Sequence, residues 1–202
     1  MRIRSTSTVL VLLAILWIAI PSPASAQVGV LVGLNSANIK FDPDPDFDSE
    51  RRTGFVAGLS FNAPIQDVFS VELDALFSQK GTNFTIPGEL DGKIKLNYVD
   101  IPVLGRINLA GSGPARVHLL IGPSFNFKVS EKLEDEEGEV DEDEDSFERF
   151  ETALVIGGGV TVSRFRVDVR YGLGLSNIVK DDENEGFTAK NRVFSVLVGF
   201  GS

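Results

Sequence analysis

Eight stretches of this chain alternate apolar and polar residues with a period of two, and that repetition limits the fold more than any other feature. Phe69–Lys80 shows the grammar. Phe69, Val71, Leu73, Ala75 and Phe77 fall on one side, and Ser70, Glu72, Asp74, Leu76, Ser78 and Lys80 on the other. Successive side chains of a β-strand point to opposite faces, so this spacing predicts a strand with one apolar face and one polar, partly charged face. The pattern recurs at Val28–Leu34, Phe55–Phe61, Val99–Leu109, Val117–Phe127, Leu154–Val162, Phe165–Leu175 and Phe194–Phe200. Each strand is expected to run about 9–13 residues, close to the span of a tilted strand crossing a bilayer.

The connections alternate as well. Long polar segments follow the odd strands, at Ser36–Arg52, Gly81–Lys93, Ser130–Arg149 and Ile178–Asn191. Short ones follow the even strands, at Asn62–Val68, Ala110–Ala115 and Ser163–Arg164. An up-and-down barrel then carries every long loop at one end and every tight turn at the other, the asymmetry of outer-membrane barrels. Alternation alone does not say which face is wet, because a soluble lipocalin-like barrel alternates too. The polar faces, however, mix Gly, Ser, Asn and charges of both signs, as a lumen packed with opposed charges requires. The expected fold is therefore all-β, an eight-stranded antiparallel up-and-down transmembrane β-barrel with its apolar face to lipid.

The N-terminus predicts export. Arg2 and Arg4 precede the apolar run Val9–Ile20, which is too short for a membrane-spanning helix, and Ala24-Ser25-Ala26 forms a small-x-small cleavage pattern before Gln27. Residues 1–26 are expected to be a cleaved signal peptide and residues 27–202 a single barrel domain. Loss of Arg2 and Arg4 from the 19 basic residues, against 29 acidic ones, takes the net charge from −10 to −12. That balance excludes nucleic acid as a partner held through charge. The absence of cysteine removes disulfides, thiol nucleophiles and thiolate metal sites.

The run Glu134–Asp145 holds ten acids in twelve residues. Like charges at that density resist collapse, which predicts a mobile surface loop. Asp141, Asp143 and Asp145 have the spacing of a calcium loop, but Ser146 stands where its glycine belongs and Thr152 where its bidentate glutamate belongs. Asp42–Asp48 fails likewise at Phe47, so no metal site and no cofactor are expected. His118, the only histidine, could be imagined in a hydrolytic triad with Ser124, but no G-x-S-x-G elbow supports it, and a hydrogen-bonded interior group is the expectation. Gly157–Val160 lies within a strand and not before a helix, so it is read as close strand packing rather than a phosphate loop. Glu72, Asp74, Asp100, Arg106, Arg166, Asp168 and Arg170 share the polar faces and are expected to form a structural charge cluster, since an eight-stranded barrel is just filled by its own side chains.

Val32–Ile39, Phe77–Gly81, Tyr98–Leu104, Leu120–Phe127 and Tyr171–Ile178 resemble, in order, stretches of the PorT-like family of outer-membrane β-barrel proteins. The resemblance implies a barrel in the outer membrane of a Gram-negative bacterium, with membrane lipid and the barrel-assembly machinery as partners. The expected function is non-enzymatic, structural or through a surface partner held by the four outer loops. A soluble periplasmic barrel around a small apolar ligand, a narrow porin and an outer-membrane enzyme are the rival readings.

Overall fold

The computed structural model of the protein describes residues 27–43, 48–86, 90–109, 115–135, 138–140, 147–179 and 188–201. The expected signal peptide lies outside them. The chain forms β1 (Gln27–Asp42), β2 (Asp48–Pro64), β3 (Phe69–Ile86), β4 (Leu90–Leu109), β5 (Ala115–Asp135), β6 (Gly138–Val140), β7 (Phe150–Val162), β8 (Phe165–Gly174) and β9 (Thr188–Gly201). Eight of these make a closed antiparallel barrel in the order β4-β3-β2-β1-β9-β8-β7-β5, with β5 pairing back to β4. Closure leaves no unpaired sheet edge, which is what lets strands cross a hydrocarbon layer.

The alternation read from the sequence sorts the two faces. Along β1, Val32 and Leu34 are 52% and 61% exposed, while Leu31 between them and the turn end is 1% exposed. Outward apolar residues continue around the barrel through Leu59, Leu73, Ile107, Leu119, Val160, Val169 and Val196. A contiguous apolar belt of that extent is foreign to a soluble monomer and proper to a lipid-facing wall. Phenylalanines rim it on both sides. Phe55 lies 5.4 Å from Phe77 and Phe127 5.3 Å from Phe150 at the upper rim, and Phe165 lies 5.2 Å from Phe200 at the lower.

The strands are longer than the sequence predicts. β1 to β5 run 16 to 21 residues, so much of Ser36–Arg52, Gly81–Lys93 and Ser130–Arg149 is strand rather than loop. The physical reason is an inversion of phase. Above the belt the outward residues of β1 become Ser36, Asn38 and Lys40, while the inward ones become Ala37, Ile39 and Phe41. The period of two persists, but water replaces lipid outside and apolar side chains replace charges inside. The acidic run is likewise not wholly loop: the backbone of Leu133–Asp135 pairs with that of Gly138–Val140 in a hairpin, and among the described residues β6 has β5 as its only partner strand. Most of 136–145, and the run 44–47, lie outside the described residues.

The strands joined through 65–68, 110–114 and 163–164 meet at one end, and of these connections 65–68 and 163–164 are among the described residues. At the shortest, Ser163 has φ of 57°, the left-handed conformation that a two-residue hairpin turn demands of its first central residue. By the asymmetry of outer-membrane barrels this end faces the periplasm.

Candidate functional site

The lumen is stacked in layers. Nearest the periplasm, Glu72 and Asp74 from β3, Arg106 from β4, His118 from β5 and Arg166, Asp168 and Arg170 from β8 point inward and meet. Glu72 Oε2 accepts from Arg106 (3.1 Å) and Arg166 (2.6 Å), and its Oε1 from Arg170 (2.8 Å). Arg170 also donates to Asp74 (2.6 Å) and Asp168 (2.8 Å). Three guanidiniums thus offset three carboxylates. Glu72 and Asp168 are wholly buried and Arg170 nearly so, so the attraction acts where water does not screen it. Every charged group in it has an opposite charge in contact, although Asp74 Oδ1 and Arg170 Nε make no hydrogen bond, and removing one member strands buried charge on its neighbours.

His118 closes the layer. Its Nε2 lies 2.9 Å from Asp168 Oδ1 and its Nδ1 lies 3.2 Å from an Arg106 NH2. Arginine only donates, so Nδ1 accepts and the ring proton sits on Nε2, directed at Asp168. Both nitrogens are occupied. Ser124 lies in a different network, bonded to Asn126, so the imagined triad is not assembled. Gly159 explains part of the glycine run, because a Cβ there would collide with the Asp168 carboxylate and approach His118 Cε1 to 2.9 Å. Glycine at 159 makes room for the His118–Asp168 pair.

A middle layer follows, with Leu31, Val56, Leu76 and Leu197 packed together and Asn35 joining Ser78 (2.9 Å) and Ser195 (2.8 Å) beside them. Above it sits a second ionic group. Lys80 donates to Asp100 (2.9 Å) and lies 3.6 Å from Glu151 and 4.4 Å over the ring of Tyr98. With its amide oxygen turned toward Lys80 Nζ (3.1 Å), Asn126 donates to Asp100 and Ser124, and Asn191 donates to Glu151 (3.0 Å). A cavity of about 60 Å³ beside Asn35, Ser78 and Lys80 is large enough for about two waters. The outermost layer is apolar: Ile39, Phe41, Leu96, Tyr98, Phe147, Ile178 and Ala189. Phe147 and Ile178 reach it from the outer connections, held by Glu148 N–H to Ile178 O (2.7 Å) and Ile178 N–H to Ala189 O (2.9 Å).

Six of the seven residues expected to cluster therefore do so in one network. Asp100 does not; it lies further up β4 and pairs with Lys80. The separation follows from the pleat, since Asp100 and Arg106 are both inward but six residues apart on one strand, roughly 20 Å. Lys80, Glu151, Asn126 and Asn191 were not singled out as site residues, although each occupies the inward phase of its strand, and that phase was the signal that marks them.

A solved structure with a TM-score above 0.5 shares this fold. OprG from Pseudomonas aeruginosa is similar at 14% identity with a TM-score of 0.53, over 88% of this chain and 96% of that one. Ail from Yersinia pestis is similar at 17% identity and a TM-score of 0.48, over 88% and 99%, and Neisserial surface protein A at 13% and 0.46, over 86% and 96%. No curated protein matches the chain. The family described as outer membrane protein beta-barrel domain matches residues 21–180. Taken with a closed eight-stranded wall, lipid-facing outside and ionic within, this match shows that the chain belongs to the outer membrane protein beta-barrel domain family and resides in the outer membrane.

Proposed function

We propose that this protein is a closed, non-enzymatic member of the PorT-like branch, whose barrel serves as a structural platform for contacts made by its four outer connections. The packing of the lumen carries this reading. A charge network, an aliphatic layer, a second ionic group and an apolar cap succeed one another along the axis, and the side chains at their centres, Glu72, Leu31, Leu197, Leu96 and Tyr98, are 0–1% exposed. A solute pathway would have to displace each layer in turn. The occupied nitrogens of His118 support the absence of catalysis in the lumen, and the motif order from Val32 to Ile178 supports the PorT-like assignment. Partners on this reading are membrane lipid, the assembly machinery during biogenesis and a surface partner outside the cell.

Purified protein reconstituted in planar bilayers tests the closed lumen. Folding is checked first by heat-modifiability on a detergent gel. Folded protein is expected to give no reproducible conductance steps at neutral pH; stable open-channel steps would restore the narrow-porin reading.

A further inference from the structure

Directly above the belt, one face of the outer wall gathers cations that no acid offsets. Lys40 on β1 and Lys190 on β9 stand opposite one another in register, and Arg192 lies one outward position below, in register with Asn38. All three belong to the outward phase of their strands, since Ile39, Ala189 and Asn191 between them are buried. Directly opposed residues have Cβ atoms about 5 Å apart and diagonal ones about 7–8 Å, so the three side chains can converge on one small anion. None of them makes an ion pair or a side-chain hydrogen bond among the described residues. Asp42, the next outward residue of β1, lies opposite Thr188 and pairs with neither lysine. Like charges directly opposite one another destabilise a ladder, so Lys40 and Lys190 call for an anion between them. On the far side of the barrel Lys93 of β4 lies instead in register with Glu134.

The neighbouring strand indicates what carries that anion. On β8 the apolar wall continues to the height of the cations. Leu173 lies in register with Arg192, and Leu175, two residues further on, is 56% exposed. A soluble acidic partner or a free anion would leave that leucine edge in water. A membrane lipid brings apolar chains to the belt and its charge to the rim. The heights agree as well. Arg192 is two residues above the outward Phe194 and Lys190 four, which is roughly 5 and 10 Å along the axis for strands tilted by about 40°. Headgroups fill about 5–7 Å beyond the hydrocarbon on each side of a bilayer, and long basic side chains bend along the wall to meet them. A guanidinium flanked by two ammonium groups suits a phosphate, which offers several oxygens to one fork and two point charges.

We propose that this β1–β9 face docks the phosphate head group of an anionic membrane lipid, with Arg192, Lys40 and Lys190 on the phosphate and Leu173 and Leu175 against the chain. The site lies on the outer wall and rests on the outer-membrane placement alone. It therefore stands whether or not the lumen conducts and whether or not the outer connections hold a partner.

Native mass spectrometry of the detergent-folded full chain tests it with three probes: dioleoyl phosphatidic acid, dioleoyl phosphatidylcholine, whose head group carries no net charge, and inorganic phosphate, which lacks the chains. The expected result is one phosphatidic acid held about tenfold or more tighter than phosphatidylcholine, with inorganic phosphate failing to displace it at equal concentration. The Lys40→Gln/Lys190→Gln/Arg192→Gln variant is expected to lose about tenfold for phosphatidic acid and nothing for phosphatidylcholine. Arg192→Gln alone is expected to lose about threefold, and it decides the matter should the triple variant fail the gel shift on heating. The charge-matched variant Lys93→Gln/Lys95→Gln/Lys132→Gln, on the far side of the barrel, is expected to keep the parent's affinity. Equal binding of the two lipids, displacement by inorganic phosphate, β1–β9 variants indistinguishable from the parent, or an equal loss in the far-side variant would overturn the proposal.

Discussion

At the level of the belt this barrel is apolar outside and holds its ionic groups inside, on either side of one aliphatic layer; above the belt the polar face turns outward and the apolar one inward. On β4 the outward residues change from Val99 and Ile101 to Asn97 and Lys95, and the inward ones from Arg106 and Asp100 to Tyr98 and Leu96. On β9 the outward Phe194 and Val196 give way to Arg192 and Lys190, and inward Ala189 joins the cap. The β1–β9 and β3–β4 ladders run through the change in one register, while the β4–β5 ladder shifts by one residue at Asn97/Tyr98. What differs is the solvent around the wall. In lipid the outer face supplies apolar contact, and the lumen is free to be held by directional ion pairs. Once the wall stands in water, the only place to hide apolar surface is the lumen, and the barrel becomes an ordinary protein core.

The sharpest way to break that contrast is inside the belt. Arg170→Ala leaves Asp74 without its guanidinium and takes one of the partners of Glu72 and of Asp168, and is expected to destabilise the barrel by about 3–5 kcal/mol, the scale for breaking a buried pair, in denaturant unfolding from lipid vesicles. In the cap, Leu96→Ala removes a wholly buried side chain and is expected to lose about 2–5 kcal/mol by the ordinary cavity mechanism. The two should also differ in kind. High salt should leave the Leu96→Ala deficit unchanged, and a salt-dependent deficit there would show that the cap is not an apolar core.

The belt-level barrel was legible in the sequence because one phase of the alternation is apolar and the other carries charge. Glu72, Asp74, Arg166, Asp168 and Arg170 announced the lumen by that contrast. The extensions were not legible in the same way. Scanning for an apolar phase ends at Leu34 or begins again at Val99, because there the apolar phase changes sides, so Asn38, Lys40, Lys93 and Lys95 read as loop although they lie in regular ladders. The site divided for a related reason. Sequence phase says that Asp100 faces inward but not at what height, and height depends on the stagger between strands, which places Lys80 opposite Leu96 and not Arg106. Phe147 enters the lumen from a segment whose spacing carries too few repeats to show a period.

One charge, placed outward at two heights, sharpens the comparison further. Val169→Arg sits mid-strand on the lipid-facing side and is expected to lose about 2–4 kcal/mol in vesicles. Asn38→Arg sits outward on β1 above the belt, beside Arg192 in register; it removes the hydrogen bond that Asn38 accepts from Thr82 (2.9 Å) and is expected to lose about 0.5–1.5 kcal/mol for that bond and nothing for membrane burial. Equal losses at the two positions would put the upper boundary of the belt in the wrong place.

The smallest effect is expected furthest from the belt, at the acidic hairpin. β6 pairs with β5 alone and takes no part in closing the barrel, whose β5–β7 ladder begins at Phe127 and Phe150. Deleting Glu134–Asp145 shortens the β5–β7 connection without touching that ladder, and closure entropy varies only slowly with connection length. Stability should therefore move by about 1 kcal/mol or less, with the gel shift on heating retained. The deletion removes ten of the chain's 29 acids at the outer end, so its consequence should appear in whatever depends on outer charge. Calcium titration of the full chain is the matching control: a charge cloud responds to ionic strength without a fixed stoichiometry, and saturable calcium binding abolished by the deletion would place a true site in the hairpin. A loss of several kcal/mol on deletion would mean instead that the acidic segment helps hold the apolar cap, and that the division between the cap and what lies beyond it is drawn too low.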